Sequence, residues 1–287
     1  MKGTQTIRTI RRAAALALVL PAVAFAQSKP AKSTKPAKST TSAPATPTTT
    51  TAAAAAPATS AALPSGREIV DRYVKAIGGR DALMKHGSRH ETATLEVPAA
   101  GVKAQIESYS ARPNKSLEKT NIPGMGEAIE GFDGTTAWSI SPVQGPRVMS
   151  GKQLEQRKYR SVFDAALHES EFVKSIETQE LTDFEGKKAY KVKITRPNGD
   201  ESIEYFDVDS GLLVGMVMTQ DSEMGQITTT GVMSDYKEFD GIRMPTKVLL
   251  RSSAGPEISV TINSVTHGDV DPTVFELPSQ IKALTGK

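Results

Sequence analysis

The stretch REIVDRYVKAIGGRDAL, Arg67 to Leu83, carries a helical pattern into a pair of glycines and then restarts it. Just ahead, Ser65-Gly66-Arg67-Glu68 fits a capping box, in which the Ser and Glu side chains each satisfy a backbone N–H at the helix start. Ile69, Val70, Tyr73, Val74 and Ile77 recur at helical spacing and form one apolar stripe. Gly78-Gly79 stands where a glycine ends a helix in the left-handed conformation. Asp81 to Lys85 begins a second short helix. A phosphate-cradling glycine loop would follow a strand and open a helix, with G-x-G-x-x-G or G-x-x-x-x-G-K-[ST] spacing. Here the glycines follow a helix, and neither pattern occurs. The pair reads as a helix stop, with a hinge at Gly78 and Gly79 between helix and sheet as its second use.

Beyond residue 88 the apolar period changes from helical to alternating. Thr94–Val97, Val102–Ile106, Tyr190–Ile194 and Ile258–Ile262 alternate as half-buried strands do. Turn signals punctuate them at Pro98–Gly101, Arg112–Asn114, Phe132–Gly134, Arg196–Asp200, Asp207–Gly211 and Phe239–Gly241. That spacing predicts an antiparallel meander of ten or eleven strands. One helical interruption falls between Gly151 and His168, with Leu154, Tyr159, Val162, Phe163, Ala166 and Leu167 on its inner face. The fold class is α+β, a long antiparallel sheet with helices on one face.

The N-terminal part reads differently. Residues 1–12 carry four basic residues and no acid, and Ala13–Ala26 is an apolar run ending in Ala24-Phe25-Ala26. This is the pattern of a secretory signal peptide over 1–26, cleaved near Ala26. The run is too short for a membrane span, which needs about 20 residues. Residues 27–63 are rich in Pro, Ala, Thr, Ser and Lys, with KPAKST twice in tandem at Lys29–Thr34 and Lys35–Thr40. Such a segment buries too little apolar surface to offset its ordering entropy, so a disordered tether is expected. As a coil it would reach about 35 Å. The folded domain is then 64–287.

Composition narrows the function. No cysteine is present. Disulfides, thiolate metal sites, Cys nucleophiles and a lipidated Cys after the cleavage site are all excluded. Eight of the 35 basic residues and none of the 32 acidic ones fall in 1–63, leaving 64–287 with 27 against 32 and a net charge of −5. A mildly acidic domain lacks the basic stripe that nucleic acid requires.

Catalytic constellations do not assemble from spacing. His86 and His90 have i, i+4 spacing, but Gly87 and Ser88 place them at a helix-to-strand junction rather than on one zinc-binding helix face. His168-Glu169-Ser170-Glu171-Phe172 begins like H-E-x-x-H and lacks the second His. His267 stands alone after a strand and is expected to be solvent-exposed. Asp207-x-Asp209-x-Gly211 imitates a calcium loop, yet Met218 stands where the twelfth-position Glu belongs, and a tight hairpin explains it better. Glu201 and Glu204 read as a solvated strand face. No enzyme, no cofactor and no metal site is expected.

Several segments together resemble the LolA/LolB-like superfamily, including its relatives described as outer-membrane lipoprotein-sorting proteins. They are the capped helix ending in Gly78-Gly79-x-x-Ala82-Leu83, YFDVDSGLLVGM (Tyr205–Met216), DYKEFDGIRMPTKV (Asp235–Val248) and DPTVFELP (Asp271–Pro278). The resemblance covers about Leu63 to Leu277. It implies an unclosed antiparallel half-barrel of about eleven strands wrapped over helices, with an apolar cavity that receives acyl chains. The residues agree with a cavity. Leu212–Met218 is apolar on both faces, which a sheet with one wet face does not need. Candidate cavity residues are Tyr73, Ile77, Leu95, Ile106, Trp138, Phe163, Tyr205, Met216 and Met218, although plain core packing also accounts for Trp138 and for the methionines. The expected function is a soluble periplasmic or secreted carrier of lipid, lipoprotein acyl chains or another apolar ligand. The alternative is a non-catalytic accessory module of an envelope complex, such as a peptidase partner.

Overall fold

The computed structural model describes residues 62–222 and 225–286. The expected signal peptide and all but the end of the 27–63 tail lie outside the described residues. Two helices open the domain, α1 (Gly66–Ala76) and α2 (Gly79–Lys85). Six strands follow: β1 (Ser88–Val97), β2 (Val102–Ala111), β3 (Lys115–Ile122), β4 (Gly126–Phe132), β5 (Ala137–Ser141) and β6 (Gly145–Val148). Helix α3 (Gly151–Arg160) leads to seven more strands. These are β7 (Ser175–Phe184), β8 (Lys187–Thr195), β9 (Glu201–Asp207), β10 (Leu213–Ser222), β11 (Gly225–Phe239), β12 (Ile242–Ser252) and β13 (Ile258–His267). Helix α4 (Ser279–Thr285) ends the chain.

The capping box is formed: Ser65 Oγ accepts from the Glu68 N–H, and the Ser65 N–H donates to Glu68 Oε2 at 2.8 Å. The apolar stripe is buried at Ile69, Val70, Tyr73 and Ile77. The hairpins take the predicted turns. At Asp207–Gly211, Asp207 Oδ1 accepts from the Ser210 N–H at 2.7 Å, and Gly211 takes φ 72°.

All strands join one antiparallel sheet in the order β6-β5-β4-β3-β2-β1-β13-β12-β11-β10-β9-β8-β7. It is two meanders, β1–β6 and β7–β13, zipped together by the pairing of β1 with β13. The end strands β6 and β7 do not pair, so the sheet is unclosed. Thirteen strands replace the ten or eleven expected. The difference lies partly in β5 and β6, whose five and four residues are too short to show alternation.

Register separates the two faces. Leu95 pairs with Ala104, Ala93 with Ile106 and Ile106 with Thr120, so these share one face. Tyr109 pairs with Leu117, Leu117 with Gly131 and Gly131 with Trp138, an odd number of residues away and therefore on the other face. Helices α1 and α3 pack on the first, inner face. Ile69, Val70, Tyr73 and Ile77 form a core with Val192, Ile194, Phe206, Leu212 and Leu213, and Leu154 packs on Phe132, Ala137 and Met149. The inserted helix is shorter than expected: α3 stops at Arg160, a separate 3-10 turn covers Ala165–Leu167, and Arg157 is the one buried residue of α3. The outer face of β3–β6 has its own cover, which the sequence reading lacked. Phe275, Leu277 and Ile281 of the C-terminal segment close over Leu117 and Trp138.

Candidate functional site

A partly open pocket lies at one end of the inner face, under α1, α2 and the segment after α3. Its volume is about 140 Å³. Its apolar walls are Tyr73, Ile77, Leu83, Phe163, Ile242 and Met244. Helical spacing in α1 points Tyr73 and Ile77 inward, and the Tyr73 ring meets Phe206 at 5.4 Å in a tilted pair. Burial raises the Tyr73 phenol well above its ordinary value, so it stays neutral.

Polar groups gather at one side of this pocket: His86, His267, Arg89 and Asp164. Arg112 fixes Asp164 through Nη2, at 2.7 Å, and the same nitrogen donates to Leu83 O at 3.0 Å. Arg89 and Arg112 both lie over the Phe163 ring, at 5.6 and 5.4 Å from its centroid, a cation–π arrangement that holds Phe163 in the wall. The rings of His86 and His267 are 5.0 Å apart. His267 is the clearest departure from expectation. Its side chain is 1 % exposed, with the His86 ring beside it. Burial holds its pKa below the usual histidine value, against a 3.2 Å hydrogen bond from Nδ1 to Asp240 Oδ2. Nε2 of His267, Nε2 of His86 and Nε of Arg89 are buried without hydrogen-bond partners. Arg89 Nε does lie 2.7 Å from Glu91 Oε1, close enough for charge pairing but off the hydrogen-bonding direction.

The wider inner face is half open. Ile106, Val248, Val260, Met216 and Met218 are partly exposed there rather than sealed in a core. Two further polar features line the same face. His168 Nε2 is 2.9 Å from Glu204 Oε2, both side chains buried. Glu130 lies 3.4 Å from Arg157 Nη1, and burial pushes its carboxyl up to about 7 while Arg157 and Arg160 pull it down. A larger hollow of about 560 Å³ beside Lys188, Asp207, Asp235 and Tyr236 is polar and open to solvent. Among the described residues no three His, Asp or Glu side chains converge as a metal site, and no helix is long and apolar enough to cross a membrane. His86 and His90 are parted as the junction predicted: His90 stacks on Tyr109 on the outer face.

Solved structures share this architecture. A DUF1329 family protein from Desulfovibrio piger superposes with TM-score 0.51 at 14 % identity, covering 74 % of this chain and 95 % of its own. A LolA superfamily protein from Nitrosomonas europaea gives TM-score 0.51 at 12 % identity, covering 75 % and 99 %. This chain has the LolA-like fold. No family model matches the sequence, and no curated protein does.

On this LolA-like frame the expected cavity residues separate into three groups. Tyr73, Ile77 and Phe163 meet in the pocket. Leu95, Ile106, Met216 and Met218 lie on the inner face away from it; Leu95 and Ile106 pack with Val97 and Ala104. Trp138 and Tyr205 are on the outer face, a correction to their placement in a cavity wall. Trp138 sits under the C-terminal segment, and Tyr205 stacks on Phe184 at 4.1 Å. Phe184 also explains the apolar outer side of β10, since its ring lies where a Cβ on Gly215 would be.

The double glycine, expected as a helix stop and hinge, is clamped to the sheet on its Gly78 side. The Arg243 N–H donates to Ile77 O at 2.9 Å, tying the α1–α2 junction to β12. Gly78 has φ 123°, and an added Cβ would overlap the Gly241 carbonyl, whereas Gly79 at φ 84° has open space around it. Gly78→Ala is therefore expected to destabilise by about 3 kcal/mol, from left-handed strain plus backbone overlap, and Gly79→Ala by about 1 kcal/mol from strain alone. Urea unfolding of the two variants checks the order; equal losses would refute the clamp.

Proposed function

We propose that this protein is a non-catalytic cell-envelope carrier or binder of a lipid-like apolar ligand, exported by its N-terminal signal and left without a lipid anchor. The observation that carries this is the apolar pocket under α1 and α2, opening among partly exposed apolar side chains on the inner face of an unclosed sheet. A fold shared with a LolA superfamily protein agrees with a binding role. The pocket is smaller than the roughly 300–1,000 Å³ of a site that engulfs a whole drug-sized ligand. It takes one end of the ligand, and the remainder lies along the half-open inner face past Met216 and Val248.

Native mass spectrometry of the exported protein, purified without detergent, tests the proposal. Extra mass that organic extraction removes is the expected result. A clean apo mass with no uptake of added phospholipid or fatty acid would overturn it.

A further inference from the structure

The polar side of the pocket requires a partner. Buried polar atoms in folded proteins are nearly always hydrogen-bonded, and three that line this pocket are not: His267 Nε2, His86 Nε2 and Arg89 Nε, the last with the equally unpartnered Glu91 Oε1 at 2.7 Å. All three residues line one pocket whose remaining walls are largely apolar. The fixed charges there are Arg89 with its neighbour Glu91, Asp164 with Arg112, and one each on Arg243 and on the Asp240 that holds His267. The balance is neutral, so an anion is accommodated only with a proton taken up beside it, which suits a single carboxyl better than a phosphate dianion. The space, about 140 Å³, matches an apolar cavity that takes a benzene-sized body.

We propose that this pocket holds the carboxyl head and first carbons of an aliphatic monocarboxylate, the carboxyl engaging Arg89 Nε and the Nε2 atoms of His267 and His86. This deepens the binding role proposed above and rests on it. The hydrogen-bond chemistry adds a proton. His267 gives its Nδ1 hydrogen to the Asp240 carboxylate, so in the neutral ring Nε2 is bare and can only accept. A carboxylate is held there once Nε2 is protonated; a carboxylic acid is held by donating its own hydrogen. Either way the complex carries one more proton than the free protein and the free anion. The charged or titratable groups facing His267 are Asp240, Arg89 with its neighbour Glu91, and His86, with Asp164 and Arg243 across the same pocket.

Hexanoate and its methyl ester, which has the same tail and no acidic head, are the probes. Hexanoate is expected to shift the NMR signals of His267 and Ile242, to bind at least tenfold more tightly than the ester, and to take up close to one proton by calorimetry in buffers of different ionisation enthalpy. Arg89→Gln and His267→Phe should each weaken hexanoate at least tenfold and leave the ester unchanged. The wild-type proton count stands even where a variant fails to fold. Equal binding of acid and ester, or no proton uptake, would overturn the carboxyl assignment while leaving an apolar binder intact. Absence of shifts in the pocket with either probe would overturn it too, whatever native mass spectrometry finds bound elsewhere.

Discussion

Trp138→Ala is expected to destabilise the protein by about 3–5 kcal/mol, the range for removing a large aromatic from a packed core. Trp138 is 1 % exposed. Its indole lies flush over Gly131, where even a Cβ would overlap the ring, and Phe275, Leu277 and Ile281 close it from the other side. Its Nε1 makes no hydrogen bond, so the loss is one of packing and cavity alone. The same arrangement makes Gly131→Ala destabilising by about 1–3 kcal/mol through overpacking. Urea unfolding followed by circular dichroism measures both. A loss under 1 kcal/mol for Trp138→Ala would mean that the C-terminal segment does not cover this face. The position also separates a structural tryptophan from a ligand sensor. A ligand entering the pocket on the opposite face should leave the emission of Trp138 unchanged, and a shift on binding would place the indole near the cavity after all.

What the sequence made legible was local. The capping box, the glycine stop after Ile77 and the Asp207–Gly211 turn are set by a few neighbouring residues, and each formed as read. Strand alternation was legible as well, but only up to its phase. It shows that Tyr205 and Phe206 face opposite ways, not that Phe206 is the one meeting Tyr73. That choice depends on which face α1 covers, a contact more than 130 residues away in the chain. Trp138 was misplaced for the same reason. Part of the cover over it is α4, whose seven residues bury one side chain, Ile281, and are too few to show an amphipathic period. His267 carried no local signal: a lone His at a strand end becomes buried only because β13 lies beside β1, which brings it to Arg89 and to His86 at the end of α2. Pairing of the first strand with the last is a long-range event that spacing does not announce.

His168→Ala is expected to cost about 3–5 kcal/mol near pH 6, because it leaves a buried carboxylate without its counter-charge. The pair with Glu204 has side chains 8 % and 6 % exposed. His168 sits in a left-handed turn at φ 49° that α1 holds through Arg67, whose guanidinium donates to the carbonyls of Leu167 and His168 at 3.1 Å. Both ring nitrogens face acceptors: Nδ1 the Ala166 carbonyl at 3.0 Å, Nε2 the Glu204 carboxylate. The imidazolium satisfies both, and a neutral ring satisfies one. Burial disfavours the charge, yet Glu204 and the Ala166 carbonyl outweigh it and the His168 pKa ends above its ordinary value. A histidine with a raised folded pKa stabilises fully below the unfolded value of 6.5 and loses that stability as pH rises through the folded value. Unfolding free energy should therefore fall on going from pH 6 to pH 9. Glu130 acts in the same sense over a lower window. Its carboxyl keeps a proton to about 7 in the folded chain, so its share declines between pH 4.5 and 7. Comparison with Glu204→Gln separates the two. The Glu130 contribution is common to both proteins and cancels in the difference, and the variant should lose the decline above pH 7 that the wild type shows. A wild-type and variant pair with parallel profiles from pH 6 to 9 would mean that His168 is held neutral, and that α1 is anchored to β9 by packing of Tyr73 on Phe206 rather than by charge.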